Sequence, residues 1–252
     1  MAQEGGSREV IFREVLNQAA GQYGLQLTDE QMIAFTKYFE TLVEWNQKVN
    51  LTAITAPQDV AIKHMIDSLS CYDDAIFKVG ASIIDVGTGA GFPGLPLKIY
   101  RPDLKLTLFD SLNKRILFLQ AIADILGITD IEFIHSRAED GGRSKQFRER
   151  YDIAVSRAVA RLDVLCEWCL PFVTVGGFFI ALKGSQYSLE VDEAQGAIQL
   201  LGGEITKIQK IKLPGLDDVR AVIYIKKIKK TPLVFPRRPG MAEKKTTKVN
   251  KK

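Results

Sequence analysis

Residues 83–94 read Ile83-Ile84-Asp85-Val86-Gly87-Thr88-Gly89-Ala90-Gly91-Phe92-Pro93-Gly94. A short apolar run ends at an acid, and glycine then occupies every second position from Gly87 to Gly91. Glycine adopts positive φ angles at little steric cost and lets backbone N–H groups approach a ligand that a Cβ would hold away. The stretch therefore predicts a buried strand followed by a ligand-binding loop.

Two kinds of nucleoside cofactor match this loop. An acid at a strand end followed by three alternating glycines resembles the cofactor loop of S-adenosylmethionine-dependent methyltransferases. The same residues contain Gly89-x-Gly91-x-x-Gly94, the dinucleotide fingerprint, and Asp110 follows 21 residues after Gly89. A dinucleotide fingerprint starts directly after its strand, whereas Gly89 comes late, and Pro93 near the helix start leaves fewer N–H groups for a pyrophosphate. The methyl donor is therefore favoured.

The composition indicates a soluble globular protein. The chain has 252 residues, of which 46% are hydrophobic and 25% charged, enough for one α/β domain with an appendage or for a single larger domain. No apolar run approaches the roughly 20 residues that span a membrane. The N-terminus lacks the basic and apolar regions of a signal peptide, so we expect a cytoplasmic protein without membrane contact.

The cysteines and histidines are too few for a convincing metal site. Cys166 and Cys169 form a C-x-x-C pattern, but only Cys71, His64 and His135 could add ligands of the same kind. A structural zinc site needs about four ligands. We expect buried, inert thiols and no metal.

The C-terminal end of the chain is strongly basic. Residues 226–252 contain eleven lysines and arginines against one acid, Glu243, so this segment carries +10 and residues 1–225 carry −6 of the total charge of +4. Such a segment indicates a polyanionic partner or, equally, a solvated tail that aids solubility.

The first part of the chain, residues 7–78, is predicted to be a helical region. Ser7 can cap a first helix, Thr28 opens a capping-box pattern with Gln31, and Pro57 fits the first turn of a third helix. No chemistry is evident in this region.

Residues 79–228 alternate predicted strands and helices, and residues 229–252 form a basic C-terminal tail. Repeated βα units imply a Rossmann-like, mostly parallel sheet with helices on both faces, and a final hairpin adds an antiparallel edge. The predicted strands are 82–86, 105–109, 131–134, 152–155, 177–182, 204–208 and 221–225.

Polar residues follow four successive predicted strands. They are Asp85, Asp110, the run 137–140 (Arg-Ala-Glu-Asp) and the pair Ser156-Arg157. One such residue is often only a helix cap. Ligands of open α/β sheets bind at the carboxyl ends of the strands, so four in succession predict a pocket there.

Several short motifs occur in order along the chain: Trp45–Thr52, His64–Leu69, Asp85–Leu97, Asp110–Arg115, Arg137–Glu139, Ser156–Ala160, Lys183-Gly184 and Pro236–Gly240. Together they resemble the ribosomal small-subunit methyltransferase G family, also called glucose-inhibited division protein B. The resemblance covers roughly residues 10–240. The lysine-rich extension after Gly240 departs from the family pattern.

The resemblance implies a fold, an activity and a set of site residues. The fold would be that of a class I S-adenosylmethionine-dependent methyltransferase, with residues 79–228 as the methyltransferase domain. The activity would be bacterial methylation of guanine N7 in the decoding-region stem-loop of 16S rRNA, with the RNA or the small subunit as partner; nothing in the chain demands more than a monomer. Cofactor contacts would fall at Gly87, Phe92, Ala138, Glu139 and Arg157, with Asp110 on the ribose by analogy with the fold.

Guanine N7 has a free lone pair, so its methylation needs no general base, and we name no catalytic residue. The fourth strand ends in Val155-Ser156-Arg157 and lacks the Asn/Asp-Pro-Pro-aromatic motif of exocyclic-amine methyltransferases. Arg157 could bind either the carboxylate of the cofactor or RNA. Two rivals remain: a small-molecule methyltransferase, and a non-catalytic RNA-binding protein of the same fold.

Overall fold

The computed structural model describes residues 2–157 and 159–243, with side chains from Ser7 onward. The predicted lysine-rich extension beyond Glu243 lies outside the described residues. No helix in the described part of the chain is both long and apolar enough to cross a bilayer.

A seven-stranded sheet forms the centre of the molecule. Its order is β3-β2-β1-β4-β5-β7-β6. The first five strands are parallel, whereas β7 lies antiparallel between β5 and β6. The strands are β1 (Ser82–Val86), β2 (Lys105–Asp110), β3 (Ile131–His135), β4 (Tyr151–Arg157), β5 (Val173–Lys183), β6 (Gly203–Lys212) and β7 (Val219–Lys227). The predicted mostly parallel sheet with an antiparallel C-terminal edge is confirmed.

Helices cover both faces of this sheet. They are α1 (Ala2–Gln22), α2 (Asp29–Val49), α3 (Pro57–Val60), α4 (Asp67–Leu69), α5 (Gly94–Tyr100), α6 (Asn113–Leu126), α7 (Ala138–Arg143), α8 (Leu162–Cys169) and α9 (Tyr187–Leu200). A π-helical turn, Ala61–Ile66, joins α3 to α4. We call the continuous segment from α3 through α4 helix 57–69.

Alternate strand residues enter two separate cores. Ile83 of β1 packs in a core with α1, α2, helix 57–69, α5 and α6, whereas Ile84 packs in a second core with α8 and α9. This alternation follows from the two-residue period of a strand. The N-terminal helical region is therefore part of one layer of the α/β fold, and it overhangs the carboxyl ends of the strands.

Local sequence signals mark the start of α2 and the end of α6. Thr28 Oγ1 accepts a hydrogen bond from the Gln31 backbone, and Gln31 Oε1 accepts one from the Thr28 backbone, which completes the predicted capping box. Gly127 ends α6 in the left-handed conformation. The predicted start of α1 at Ser7 is wrong, because the helix already begins at Ala2 and residues 2–4 are good helix formers.

The segment that follows β7 packs against α7 and α8 over residues 231–243. The Arg148 guanidinium donates to the carbonyls of Gly142, Thr231 and Phe235. Arg237 forms an ion pair with Glu167 at 2.6 Å, which holds the segment beside α8.

Candidate functional site

The glycine loop turns sharply at the carboxyl end of β1. Gly87 has a φ of +72° and Gly89 a φ of +61°. The backbone N–H groups of Gly87 and Thr88 both donate to the Phe109 carbonyl, at 2.8 and 3.2 Å, and so fix the loop to β2. A Cβ on Gly89 would meet no protein atom within 4 Å, so the loop backbone faces open space there.

Asp85 holds the two ends of this loop together from beneath. Its side chain is fully buried, and Oδ2 accepts hydrogen bonds from Thr88 Oγ1 at 2.7 Å and from the Gly94 backbone at 2.8 Å. Oδ1 has no partner among the described residues. Burial raises the pKa of Asp85 to about 7, although both hydrogen bonds and Arg157 oppose this shift.

Asp110 lies at the end of β2 and supports the same loop from the side. Oδ2 accepts from the Gly89 backbone at 2.9 Å, and Oδ1 accepts from the Leu112 backbone at 2.9 Å. Arg115 adds an ion pair at 3.2 Å. The carboxylate is therefore fixed beside the loop.

Two adjoining cavities open at these strand ends. The first, of about 400 Å³, is lined by Gly87, Phe92, Asp110 and Arg157. The second, of about 180 Å³, is lined by Ala138 and Glu139 and again by Gly87 and Asp110. The structure thus places all six predicted site residues around one pair of cavities, which we call the loop cavity and the α7 cavity.

A larger cavity of about 500 Å³ lies at the other end of the sheet. Its lining includes Ser82 and Lys105, the first residues of β1 and β2. Ligands of open α/β sheets bind at the carboxyl ends of the strands, so we place the site at the two smaller cavities.

The α7 cavity is closed in part by the C-terminal segment. Glu139 is buried, and its Oε1 accepts a hydrogen bond from the Gly240 backbone at 3.3 Å. Glu243 and Trp168 also line this cavity. Trp168 Nε1 is buried and has no acceptor among the described residues.

Arg157 contacts helix 57–69 through most of its guanidinium. Nη1 donates to the Lys63 carbonyl at 2.8 Å and to Asp67 Oδ2 at 2.9 Å, and Nη2 lies 3.2 Å from His64 Nδ1. The guanidinium carbon also lies 4.9 Å from the centre of the Phe92 ring. Arg157 therefore forms a fixed wall of the loop cavity.

Both ring nitrogens of His64 contact protein atoms. Nδ1 lies 3.2 Å from Arg157 Nη2 and 3.2 Å from the Lys63 carbonyl oxygen, and Nε2 lies 2.9 Å from Thr52 Oγ1. Burial and then Arg157 lower the pKa of His64 to about 3, so the ring is neutral at physiological pH.

Sequence reasoning gave no role to His64, Asp67 or Tyr38. The His64 ring stacks on Phe92 with centroids 4.4 Å apart, and Tyr38 stacks on Phe92 at 5.3 Å. The Tyr38 hydroxyl also donates to the Ala90 carbonyl in the loop. The sequence did contain one signal for such a site: a histidine and an aspartate lie three residues apart within an apolar helix.

Comparisons with known proteins bear on this site. A family model described as GidB, rRNA small subunit methyltransferase G, matches residues 31–218. The chain belongs to this family. Ribosomal RNA small subunit methyltransferase G of Desulforamulus reducens is 50% identical over 91% of this chain and 96% of its own, and that of Alkaliphilus metalliredigens is 49% identical over 93% and 98%.

Solved structures agree on the fold of this methyltransferase G family member. The [4+2]-cyclase SpnF superposes with a TM-score of 0.55 and 12% identity, covering 79% of this chain and 96% of its own. A 16S rRNA (adenine(1408)-N(1))-methyltransferase mutant from Catenulisporales acidiphilia superposes with a TM-score of 0.50 and 12% identity. The match covers 66% of this chain and 90% of that chain. The resemblance inferred from sequence is confirmed, and with it the enzyme class, an rRNA methyltransferase.

Proposed function

We propose that this enzyme transfers the methyl group of S-adenosylmethionine to N7 of one guanine in the decoding-region stem-loop of 16S rRNA. The observation that supports it is the pair of adjoining cavities that meet at Gly87 and Asp110, in a chain of the methyltransferase G family. We further propose that residues 79–228 are the methyltransferase domain and that the enzyme acts as a monomer.

The residues around the two cavities fit the methyl donor. An amino-acid end, a ribose and an adenine require an elongated site, and the two cavities share Gly87, Asp110, Ser111 and Val159. In this assignment Phe92 and Arg157 line the amino-acid end, Asp110 accepts from the ribose hydroxyls, and Ala138 and Glu139 lie at the adenine. The open face at Gly89 leaves room for a ligand beside the backbone. When bound, the cofactor supplies an electrophilic methyl group on a sulfonium.

The surrounding side chains suit a reaction driven by positioning. N7 of neutral guanine carries a lone pair, so no proton has to be removed first. His64 is neutral and both of its ring nitrogens are occupied, by Arg157 and by Thr52, so it is not a free base. Phe92, which stacks with both His64 and Tyr38, provides a rigid wall. Alignment of two reactants can lower the activation free energy by about 7–11 kcal/mol.

The direct test is a map of 7-methylguanine in 16S rRNA. Cells that contain the protein should show one modified guanine in the decoding-region stem-loop, and cells from which its gene is deleted should show none there. Complementation with the wild-type gene should restore the mark. An unchanged pattern of 7-methylguanine after deletion would contradict the proposal.

Removal of residues 244–252 is expected to weaken RNA binding modestly. These residues carry five lysines and no acid. The truncated protein keeps Glu243, because that residue lines the α7 cavity. Loss of phosphate contacts should lower affinity for 16S rRNA a few-fold at low salt and reduce the slope of log K against log salt by about 1 or more. Titrations at several salt concentrations measure this, and an unchanged slope would identify the extension as a solubilising tail.

A further inference from the structure

A third cavity, of about 280 Å³, adjoins the loop cavity at His64 and Arg157. Both residues line it as well as the loop cavity. The new cavity extends between helix 57–69, the end of β5 and the start of β7. Its apolar wall includes Leu182 and Val222. We call it the Asp67 cavity.

The charged side chains that line this cavity are cationic except for one carboxylate. Lys63, Arg157, Lys183 and Arg220 line it, and Asp67 is the single carboxylate in its lining. Lys63 pairs with Asp59 at 2.8 Å and Lys183 with Glu190 at 2.7 Å, both outside the lining. Arg157 and Arg220 both contact Asp67, so each of these four cations is paired with a carboxylate.

Asp67 has unused acceptor capacity although its side chain is only 4% exposed. Arg157 and Arg220 both donate to the same oxygen, Oδ2, at 2.9 and 3.3 Å. No hydrogen bond from any described residue reaches Oδ1. An ionised carboxylate offers about four acceptor sites, so about two remain on Oδ1.

Two neighbouring donors can share the two free acceptor sites of Oδ1. Guanine presents N1–H and the 2-amino group side by side on its Watson–Crick edge. Adenine and cytosine each place a ring-nitrogen acceptor on that edge, and uracil places one donor between two carbonyls. Enzymes that act on a base commonly take it out of the stack and recognise its Watson–Crick edge. Hydrogen bonding to this edge also leaves N7, on the opposite side of the purine, free to react.

We propose that the Asp67 cavity receives the target guanine and that Asp67 accepts hydrogen bonds from its N1–H and 2-amino groups. The inference rests on the proposed function, because it assumes that the substrate base is guanine. Asp67 is then the residue that determines specificity for guanine. Arg157 and Arg220 are positioning residues that hold the carboxylate toward the base.

The test combines a change in the enzyme with a change in the base. Small subunits are reconstituted with 16S rRNA that carries either guanosine or inosine, which lacks the 2-amino group, at the target position. Transfer of a labelled methyl group gives kcat/KM for wild-type enzyme and for Asp67→Asn. With wild-type enzyme, inosine should lower kcat/KM about 10- to 100-fold, the usual loss of a hydrogen bond to a charged group.

The variant should respond differently to the same change of base. Asp67→Asn should have a low kcat/KM with guanosine. Its kcat/KM values with guanosine and inosine should differ by less than about threefold, because the interaction with the 2-amino group is already lost. A merely structural Asp67 would leave the full inosine penalty in the variant, and that result would overturn the inference. Asp59→Asn removes a nearby exposed acid outside the cavity and should keep the wild-type pattern.

Two further outcomes complete the test. The wild-type comparison needs no variant to fold, so equal rates on guanosine and inosine would overturn the inference by themselves. Absence of methyl transfer by wild-type enzyme to subunits with guanosine would instead overturn the proposed function, and with it the identity of the base in this cavity.

Discussion

Replacement of Gly87 by aspartate is expected to abolish binding of S-adenosylmethionine while the protein stays folded. Gly87 lines both the loop cavity and the α7 cavity. A Cβ at this position would lie 2.9 Å from Val159 Cγ2, and Val159 lines the same two cavities. The new side chain therefore adds bulk where the cavities meet and a second carboxylate near Asp110. We expect the dissociation constant to rise more than 100-fold.

The fold should survive because aspartate is among the residues that best tolerate a positive φ. Gly24→Asp is the matched control, since Gly24 has a φ of +67°, is exposed and has no atom within 4 Å of a Cβ. Calorimetric titration of both variants with S-adenosylmethionine, together with circular dichroism, measures the effect. Binding by Gly87→Asp within a few-fold of wild type would contradict the assignment of the cavities.

The site features that were predictable from sequence are those built from local patterns. A buried strand, a glycine loop and the acid that follows the next strand are each encoded within a few residues. The parallel order of the strands then brings their carboxyl ends to one edge, so Asp85 and Asp110 could be placed together without coordinates.

The contacts that sequence could not supply join distant parts of the chain. Arg157 and Asp67 are 90 residues apart, and their contact depends on the position of helix 57–69 relative to the end of β4. The sequence alone does not reveal this packing, and from it Arg157 could bind either the cofactor or RNA. In the structure its Nη1 and Nη2 groups donate within the protein.

Charge counted from sequence also overstates the charge that is free to act. Lys227 was part of the basic C-terminal count, yet it is fully buried and donates to the Leu170 carbonyl and to Thr231. Arg237, in the same count, is paired with Glu167. Composition gives the sign of the net charge of this segment, and only packing shows which of its cations face solvent.

The stability of wild-type protein relative to Asp85→Asn is expected to fall as the pH rises from about 4 to about 8. Burial raises the pKa of Asp85 from its ordinary 3.8 to about 7. Between these values the unfolded chain has lost the proton and the folded chain still holds it, so each step up in pH favours unfolding. The stabilisation linked to this proton is complete below about pH 4 and is lost once the pH passes about 7.

Urea unfolding of both proteins at closely spaced pH values isolates this effect. The difference in free energy of unfolding between them should change by on the order of 2–4 kcal/mol across the range. His64 has the opposite linkage, since its pKa is lowered to about 3 and its contribution to stability rises with pH up to its ordinary value of 6.5. Both proteins contain His64, so its contribution cancels in the difference. Parallel pH profiles would show that Asp85 is ionised beneath the loop throughout this range, and that its two hydrogen bonds outweigh the cost of burying the charge.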